Sequence, residues 1–130
     1  IIATHQSLVS PLIVLVEDTE SNIETIVSYL QAHRLRMAIA RNGLEAIELI
    51  KHSEPALVLM DIQIPEIDGL EVIRRLRADP NLVNLPIIAL TALAMPGDRE
   101  QCLQAGANEY LTKPVGLKQL LQAIRQYLAV

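Results

Sequence analysis

Three five-residue segments of this chain are apolar at almost every position: residues 12–16 (LIVLV), 56–60 (ALVLM) and 86–90 (PIIAL). A strand with one face in water alternates polar and apolar residues, so a strand without alternation is expected to be covered on both faces. Two further runs differ. In residues 35–40 (LRMAIA), Leu35, Met37 and Ile39 alternate with Arg36, Ala38 and Ala40, which predicts a partly exposed edge strand. Residues 108–112 (NEYLT) are short and more polar, and also suit an edge.

Helical patterns fill the intervals. Ile23, Ile26, Val27 and Leu30 fall at i, i+3, i+4 and i+7. Asn42 precedes a helix carrying Ala46, Ile47 and Ile50, with Glu45 placed as the third residue of a capping box. Val72, Ile73 and Leu76 share one face of a third helix that ends near Asp79-Pro80. Residues 98–105 predict a short fourth helix closed by Gly106, and Leu117, Leu120, Leu121, Ile124 and Leu128 form the stripe of a fifth. Five β-then-α units with short connections predict a parallel sheet covered by helices on both faces. Five strands in one small α/β domain favour the flavodoxin-like, doubly wound (βα)5 arrangement with strand order 2-1-3-4-5.

Composition agrees. Hydrophobic residues make up 51% and charged residues 20%, enough apolar matter for a real core and too much for disorder. With three Tyr and no Phe or Trp, that core must be aliphatic. A net charge of -4 argues against nonspecific nucleic-acid binding. The lone Cys102 excludes an internal disulfide and a Cys-rich zinc site, and suits a reducing compartment. No apolar run approaches the roughly 18 residues that span a membrane. Ile1-Ile2-Ala3 lacks the basic start and long apolar stretch of a signal peptide. Residues 1–11, polar and closed by Pro11, read as a linker or tail, and residues 12–130 as one domain. The chain does not begin with Met, so the expectation is a piece of a longer protein.

In such sheets, function lies beyond the carboxyl ends of the strands. Glu17 and Asp18 follow the first strand, Asp61 the third, Thr91 and Ala92 the fourth, and Lys113-Pro114 the fifth. Three carboxylates in one pocket repel one another unless a proton or a cation intervenes. Hard oxygen donors suit Mg²⁺ better than a soft metal, and a divalent ion beside a carboxylate can bind phosphoryl oxygens. Lys113 would add positive charge and Thr91 a hydrogen-bond donor. The set fits the making and breaking of an aspartyl phosphate.

The segments IVLVEDTESN, LVLMDIQIPEIDG, IIALTA and YLTKP, in this order and spacing, resemble those of the response-regulator receiver domain over roughly residues 12–129. LMDIQIPEIDG and the run ALTALAMPGDREQCLQAGANEYLTKP are similar to receivers attached to hybrid histidine kinases. The resemblance implies a cytoplasmic phospho-acceptor. Asp61 would take a phosphoryl group from the phosphohistidine of a histidine kinase or histidine phosphotransfer domain. Asp18 and Asp61 would hold Mg²⁺ through carboxylates, Gln63 through its backbone carbonyl, and Glu17 mainly through a water. Lys113 would pair with the phosphoryl group, Thr91 would move towards it, and Tyr110 would change rotamer with Thr91. The Lys113-Pro114 peptide would be cis. The switching surface would comprise the fourth helix, fifth strand and fifth helix, which could also pair two copies of the chain; no direct nucleic-acid or membrane contact is implied. Many members have Asp where this chain has Glu17, one methylene longer. Gln63 and Leu93 fall at variable positions that the family uses to tune dephosphorylation.

Each residue alone has a plainer reading. Glu17-Asp18 is a solvated turn, Asp61 a loop cap, Thr91 a strand-end hydroxyl, Lys113 a surface lysine and Tyr110 a core residue. Pro65 and Gly69 shape the loop after Asp61, Gly69 by its access to positive φ, and Asp68 starts the next helix. His5, His33 and His52 read as exposed, and Arg74, Arg75 and Arg77 as a solvated helix face. Cys102 reads as buried and inert. Among other classes, an aspartyl-nucleophile phosphohydrolase usually places a second acid where this chain has Gln63. A flavin-binding domain would need a hydroxyl- and Gly-rich loop in place of Glu17-Asp18-Thr19-Glu20. A degenerate receiver acting only as a docking module would not need the full set of acids, Thr91 and Lys113.

Overall fold

The computed structural model describes residues 10–92 and 95–128. His5, Leu93 and most of the expected linker lie outside them. Among the described residues, strands β1 (Leu12–Val16), β2 (Arg36–Ala40), β3 (Leu57–Asp61), β4 (Ile87–Thr91) and β5 (Glu109–Thr112) alternate with helices. These are α1 (Glu20–Ala32), α2 (Gly43–Ser53), α3 (Gly69–Arg77), α4 (Asp98–Ala105) and α5 (Leu117–Leu128). The sheet is parallel in the order β2-β1-β3-β4-β5, so the two amphipathic strands are indeed the edges.

Strand residues divide between two aliphatic cores by the period-2 rule. Val14, Val16, Val58, Met60, Ile87 and Ala89 face α2, α3 and α4, meeting Ala46, Ile50, Val72, Ile73, Leu76 and Cys102. Their neighbours Ile13, Leu15, Leu57, Leu59, Ile88 and Leu90 face α1 and α5, meeting Ile23, Ile26, Leu30, Leu120 and Ile124. Every residue of β3 and β4 is buried, which is why no polar alternation survives in them.

Local chemistry sets the helix starts. Asn42 caps α2 by accepting from the Glu45 N–H at 2.8 Å, and Asp68 caps α3 by accepting from the Glu71 N–H at 3.0 Å. Gly106 closes α4 at φ 124°. A 3-10 turn over Pro80–Leu82, which periodicity does not reveal, follows α3.

Three sequence expectations change. Gly69 does not have positive φ; that conformation falls to Glu66 (φ 74°). A Cβ on Gly69 would lie 2.7 Å from the Asp61 carbonyl oxygen and 2.7 Å from the Ile62 Cα. Gly69 is therefore required by close approach: its N–H bonds the Ile62 carbonyl at 2.9 Å and folds the β3–α3 loop back on itself. Arg74 and Arg75 are solvated, but Arg77 turns inward. Its guanidinium donates to the Gly106 carbonyl (2.9 Å), the Leu82 carbonyl (2.7 Å) and the Asn108 side-chain oxygen (2.8 Å). His52 is exposed, whereas His33 is half-buried, with its Nδ1 2.9 Å from the Tyr29 carbonyl oxygen.

Candidate functional site

The parallel register brings the strands' carboxyl ends level. Val16 pairs with Met60, Asp61 with Leu90, and Thr91 with Thr112. Asp61 and Thr91, expected just past their strands, are instead the last strand residues, because the Ile62 N–H still bonds the Leu90 carbonyl at 2.9 Å. The Glu17 N–H likewise continues the ladder to the Ala40 carbonyl at 3.0 Å, and the Lys113 N–H to the Thr91 carbonyl at 2.7 Å. Side chains from four strand ends thus open into one cleft. The Lys113-Pro114 peptide is cis.

Glu17, Asp61 and Thr91 are buried, at 0%, 2% and 2% exposure, whereas Asp18 is exposed at the rim. Among the described residues they are the buried polar side chains, and the rest of the buried side chains are apolar. Burying a carboxylate costs heavily unless a partner compensates. The partner here is Lys113, whose Nζ lies 3.0 Å from Glu17 Oε1 and 2.9 Å from Asp61 Oδ2. Backbone donors complete both carboxylates: the Thr19 N–H to Glu17 Oε2 at 3.2 Å, and the Gln63 N–H to Asp61 Oδ1 at 3.0 Å.

The two buried acids are driven apart. Burial pushes the Asp61 carboxyl up, and the nearby Glu17 charge adds to this; the Lys113 hydrogen bond offsets only part of it. Burial also acts on Glu17, but the Lys113 hydrogen bond, the Thr19 N–H and the Lys113 charge outweigh it and hold that carboxyl below its usual range. Burial disfavours the Lys113 ammonium, yet its bonds to Asp61 and Glu17 prevail and raise it.

Carboxylate oxygens of Glu17, Asp18 and Asp61 lie within 4.8 Å of one another. One ammonium against three carboxylates leaves surplus negative charge, and all the donors are hard oxygens. That chemistry fits a small divalent cation such as Mg²⁺. Beside the acids, a cleft of about 370 Å³ is bordered by Asn22, Ile26, Leu90, Lys113, Pro114 and Val115.

Of the expected site residues, Glu17, Asp18, Asp61, Gln63, Thr91 and Lys113 reach this region and Tyr110 does not; Leu93 lies outside the described residues. Tyr110 pairs in register with Ala89 and packs, half-buried, against the core beneath α2, α3 and α4. Two features escaped the sequence reading. Asn22, in the first turn of α1, supports the Glu17 carboxylate and borders the cleft; its placement five residues after Glu17 was the available signal. The Gln63 side chain spans to β4, donating from Nε2 to Thr91 Oγ1 at 2.7 Å and accepting at Oε1 from the Ala92 N–H at 3.1 Å. Nothing in the sequence marks that reach.

Comparison with known proteins gives a consistent picture. The response regulator receiver domain family model matches residues 13–125. The polar-differentiation response regulator DivK of Brucella anthropi is 40% identical over 116 residues, covering 89% of this chain and 94% of that protein. The receiver domain of the sensor histidine kinase PA1611 from Pseudomonas aeruginosa PAO1, with a magnesium ion coordinated in its active-site cleft, superposes with a TM-score of 0.87. It is 36% identical, over 94% of this chain and all (100%) of that one. The receiver domain of a signal transduction histidine kinase from Syntrophus aciditrophicus gives a TM-score of 0.86 at 31% identity, over 92% of this chain and 91% of that one.

Proposed function

This chain belongs to the response regulator receiver domain family of two-component systems, and on that premise we propose that it accepts a phosphoryl group on Asp61 from a phosphohistidine. The observation that carries the reading is the Asp61 carboxylate at the floor of an open acidic cleft, held by Lys113 at 2.9 Å. In this reading an Asp61 carboxylate oxygen attacks phosphorus, the P–O bond forms, and the P–N bond breaks with its electron pair left on the imidazole nitrogen. The Gln63 N–H at 3.0 Å and Lys113 orient the carboxylate for that attack.

Asp18 and Asp61 would hold Mg²⁺ through their carboxylates, Gln63 through its backbone carbonyl, and Glu17 through a water. When bound, the ion supplies positive charge to the oxygens of the transferring group. Lys113 serves the same end, pairing with the phosphoryl group once it is transferred. Thr91 turns its hydroxyl towards the new anion, and Tyr110, two register positions away on the same face of the sheet, follows it. The consequence is a shift in the surface of α4, β5 and α5, read by a partner protein. A histidine kinase or histidine phosphotransfer domain is the donor, a second copy of the chain is one partner this face can take, and a hybrid histidine kinase is a fitting parent for residues 12–130.

The test is labelling by a small phosphodonor with and without Mg²⁺, on the native protein and Asp61→Asn. The expected label depends on Mg²⁺, survives acid better than base, and vanishes in Asp61→Asn. A folded, Mg²⁺-binding domain that takes no label would overturn the phospho-acceptor reading in favour of docking alone.

A further inference from the structure

Gln63 is exposed, yet it is held at three points. Its N–H donates to Asp61 Oδ1 at 3.0 Å, its Nε2 to Thr91 Oγ1 at 2.7 Å, and its Oε1 accepts from the Ala92 N–H at 3.1 Å. The orientation of the carboxamide is fixed by chemistry. A backbone N–H only donates, so the side-chain oxygen must face Ala92 and the amide nitrogen must face Thr91. One side chain thus ties the end of β3 to the end of β4, and it engages two groups that can donate to an anion: the Thr91 hydroxyl and the Ala92 N–H.

We infer that the Gln63 carboxamide is a latch that closes over Thr91 and Ala92 in the unphosphorylated protein and must be released for the switch to operate. The inference rests on the phospho-acceptor reading of Asp61. Phosphoryl oxygens are acceptors only, and they need donors. The Ala92 N–H is spent on Gln63 Oε1, and the bond from Gln63 Nε2 holds the Thr91 hydroxyl oxygen against the carboxamide. An anion on Asp61 therefore competes with Gln63 for the same segment of backbone. A cavity of about 90 Å³ bordered by Gln63, Thr91, Asp98 and Gln101 lies beside the latch. It offers the displaced carboxamide room and new polar partners on α4. A ligand shifts such an equilibrium only by its differential affinity for the two states, so a latch present in one state alone lowers apparent affinity for the phosphoryl group.

The test uses Gln63→Met, which keeps the length of the side chain and removes both of its hydrogen bonds. In the Mg²⁺-free protein, the Ala92 amide should lose protection against hydrogen exchange, and its proton resonance should move. With Mg²⁺ present, beryllofluoride, a phosphoryl mimic, should bind Gln63→Met about three- to tenfold more tightly, the scale set by one ordinary net hydrogen bond. Unchanged Ala92 protection in Gln63→Met overturns the latch. So does unchanged beryllofluoride affinity, given normal binding by the native protein. No Mg²⁺-dependent binding of beryllofluoride by the native protein overturns the phospho-acceptor reading instead, and the release step with it.

Discussion

Lys113 Nζ stands 2.9 Å from Asp61 Oδ2 and 3.0 Å from Glu17 Oε1, so a single ammonium bridges two buried carboxylates that arrive from different strands. Removing it leaves both acids buried without their cation. Lys113→Met is expected to lower the stability of the metal-free protein by about 1–3 kcal/mol at neutral pH, since a broken, largely buried pair costs more than a surface one. The loss should shrink as the acids are protonated. Urea unfolding at neutral and acid pH measures both.

Asp61 gives a pH dependence of known sign. Its carboxyl is raised by burial and by Glu17, so the folded protein holds this proton to higher pH than the unfolded chain does. Stability from this group is full at low pH, begins to fall as pH passes the ordinary value of 3.8, and is lost above the raised folded value. At neutral pH the ionised side chain is thus a net cost, which the neutral amide avoids. Asp61→Asn should raise the melting temperature in chelator, and Mg²⁺ should narrow or reverse the difference by stabilising only the native protein. A lower melting temperature for Asp61→Asn in chelator would contradict this assignment.

Gly69→Ala would put a methyl group 2.7 Å from the backbone that carries Asp61. Backbone cannot step aside as a flexible side chain can. The substitution is expected to cost about 1–3 kcal/mol in the manner of an overpacked core. It should also slow phosphoryl uptake by displacing Asp61. Denaturation and phosphodonor labelling of the same preparation check the two effects together.

Arg77 is the bolt of the opposite end. Its three bonds join α3 to the 3-10 turn and to the α4–β5 turn, and the Asn108 side-chain oxygen it meets also accepts from the Ile87 N–H at 2.8 Å. Arg77→Lys keeps the charge but not the fork, and should still cost about 1–3 kcal/mol. Amide exchange around Gly106 and Asn108 should quicken first.

Cys102 is 3% exposed, and burial, aided by the charge of Asp98, pushes its thiol up. The thiolate is the reactive form. Iodoacetamide should therefore leave the native protein unmodified at pH 8 and label it promptly in denaturant; rapid native labelling would show that α4 opens far more readily than its packing implies.

The elements legible in advance were those whose signal is local. Uninterrupted apolar runs gave β1, β3 and β4 within a residue, because burial on both faces leaves a compositional trace. Asn42 and Asp68 were readable because a cap and its N–H lie three residues apart. The acidic cluster was readable because a parallel sheet puts every strand's carboxyl end on one edge. Arg77 was misread for the converse reason. Its partners lie 5, 29 and 31 residues away, and nothing about its neighbours Arg74 and Arg75 distinguishes it. Gly69 was identified as structural for the wrong cause, since close approach of backbone leaves no mark in sequence. The span from Gln63 to Thr91 crosses 28 residues and depends on rotamers, which spacing does not encode.

The two cores on either side of the sheet bear on how its strands find their alignment. In a half-exposed sheet, slipping one strand by a single residue drives apolar side chains into water, and that penalty enforces the pairing. β3 and β4 lack this safeguard: both faces are aliphatic, and a slip would only exchange one oily surface for another. What does not tolerate the exchange is the polar group at each strand's end. A slip inward would draw Asp61 or Thr91 between the layers, away from Lys113. The polar residues that line the cleft thus also act as the sheet's end-stops.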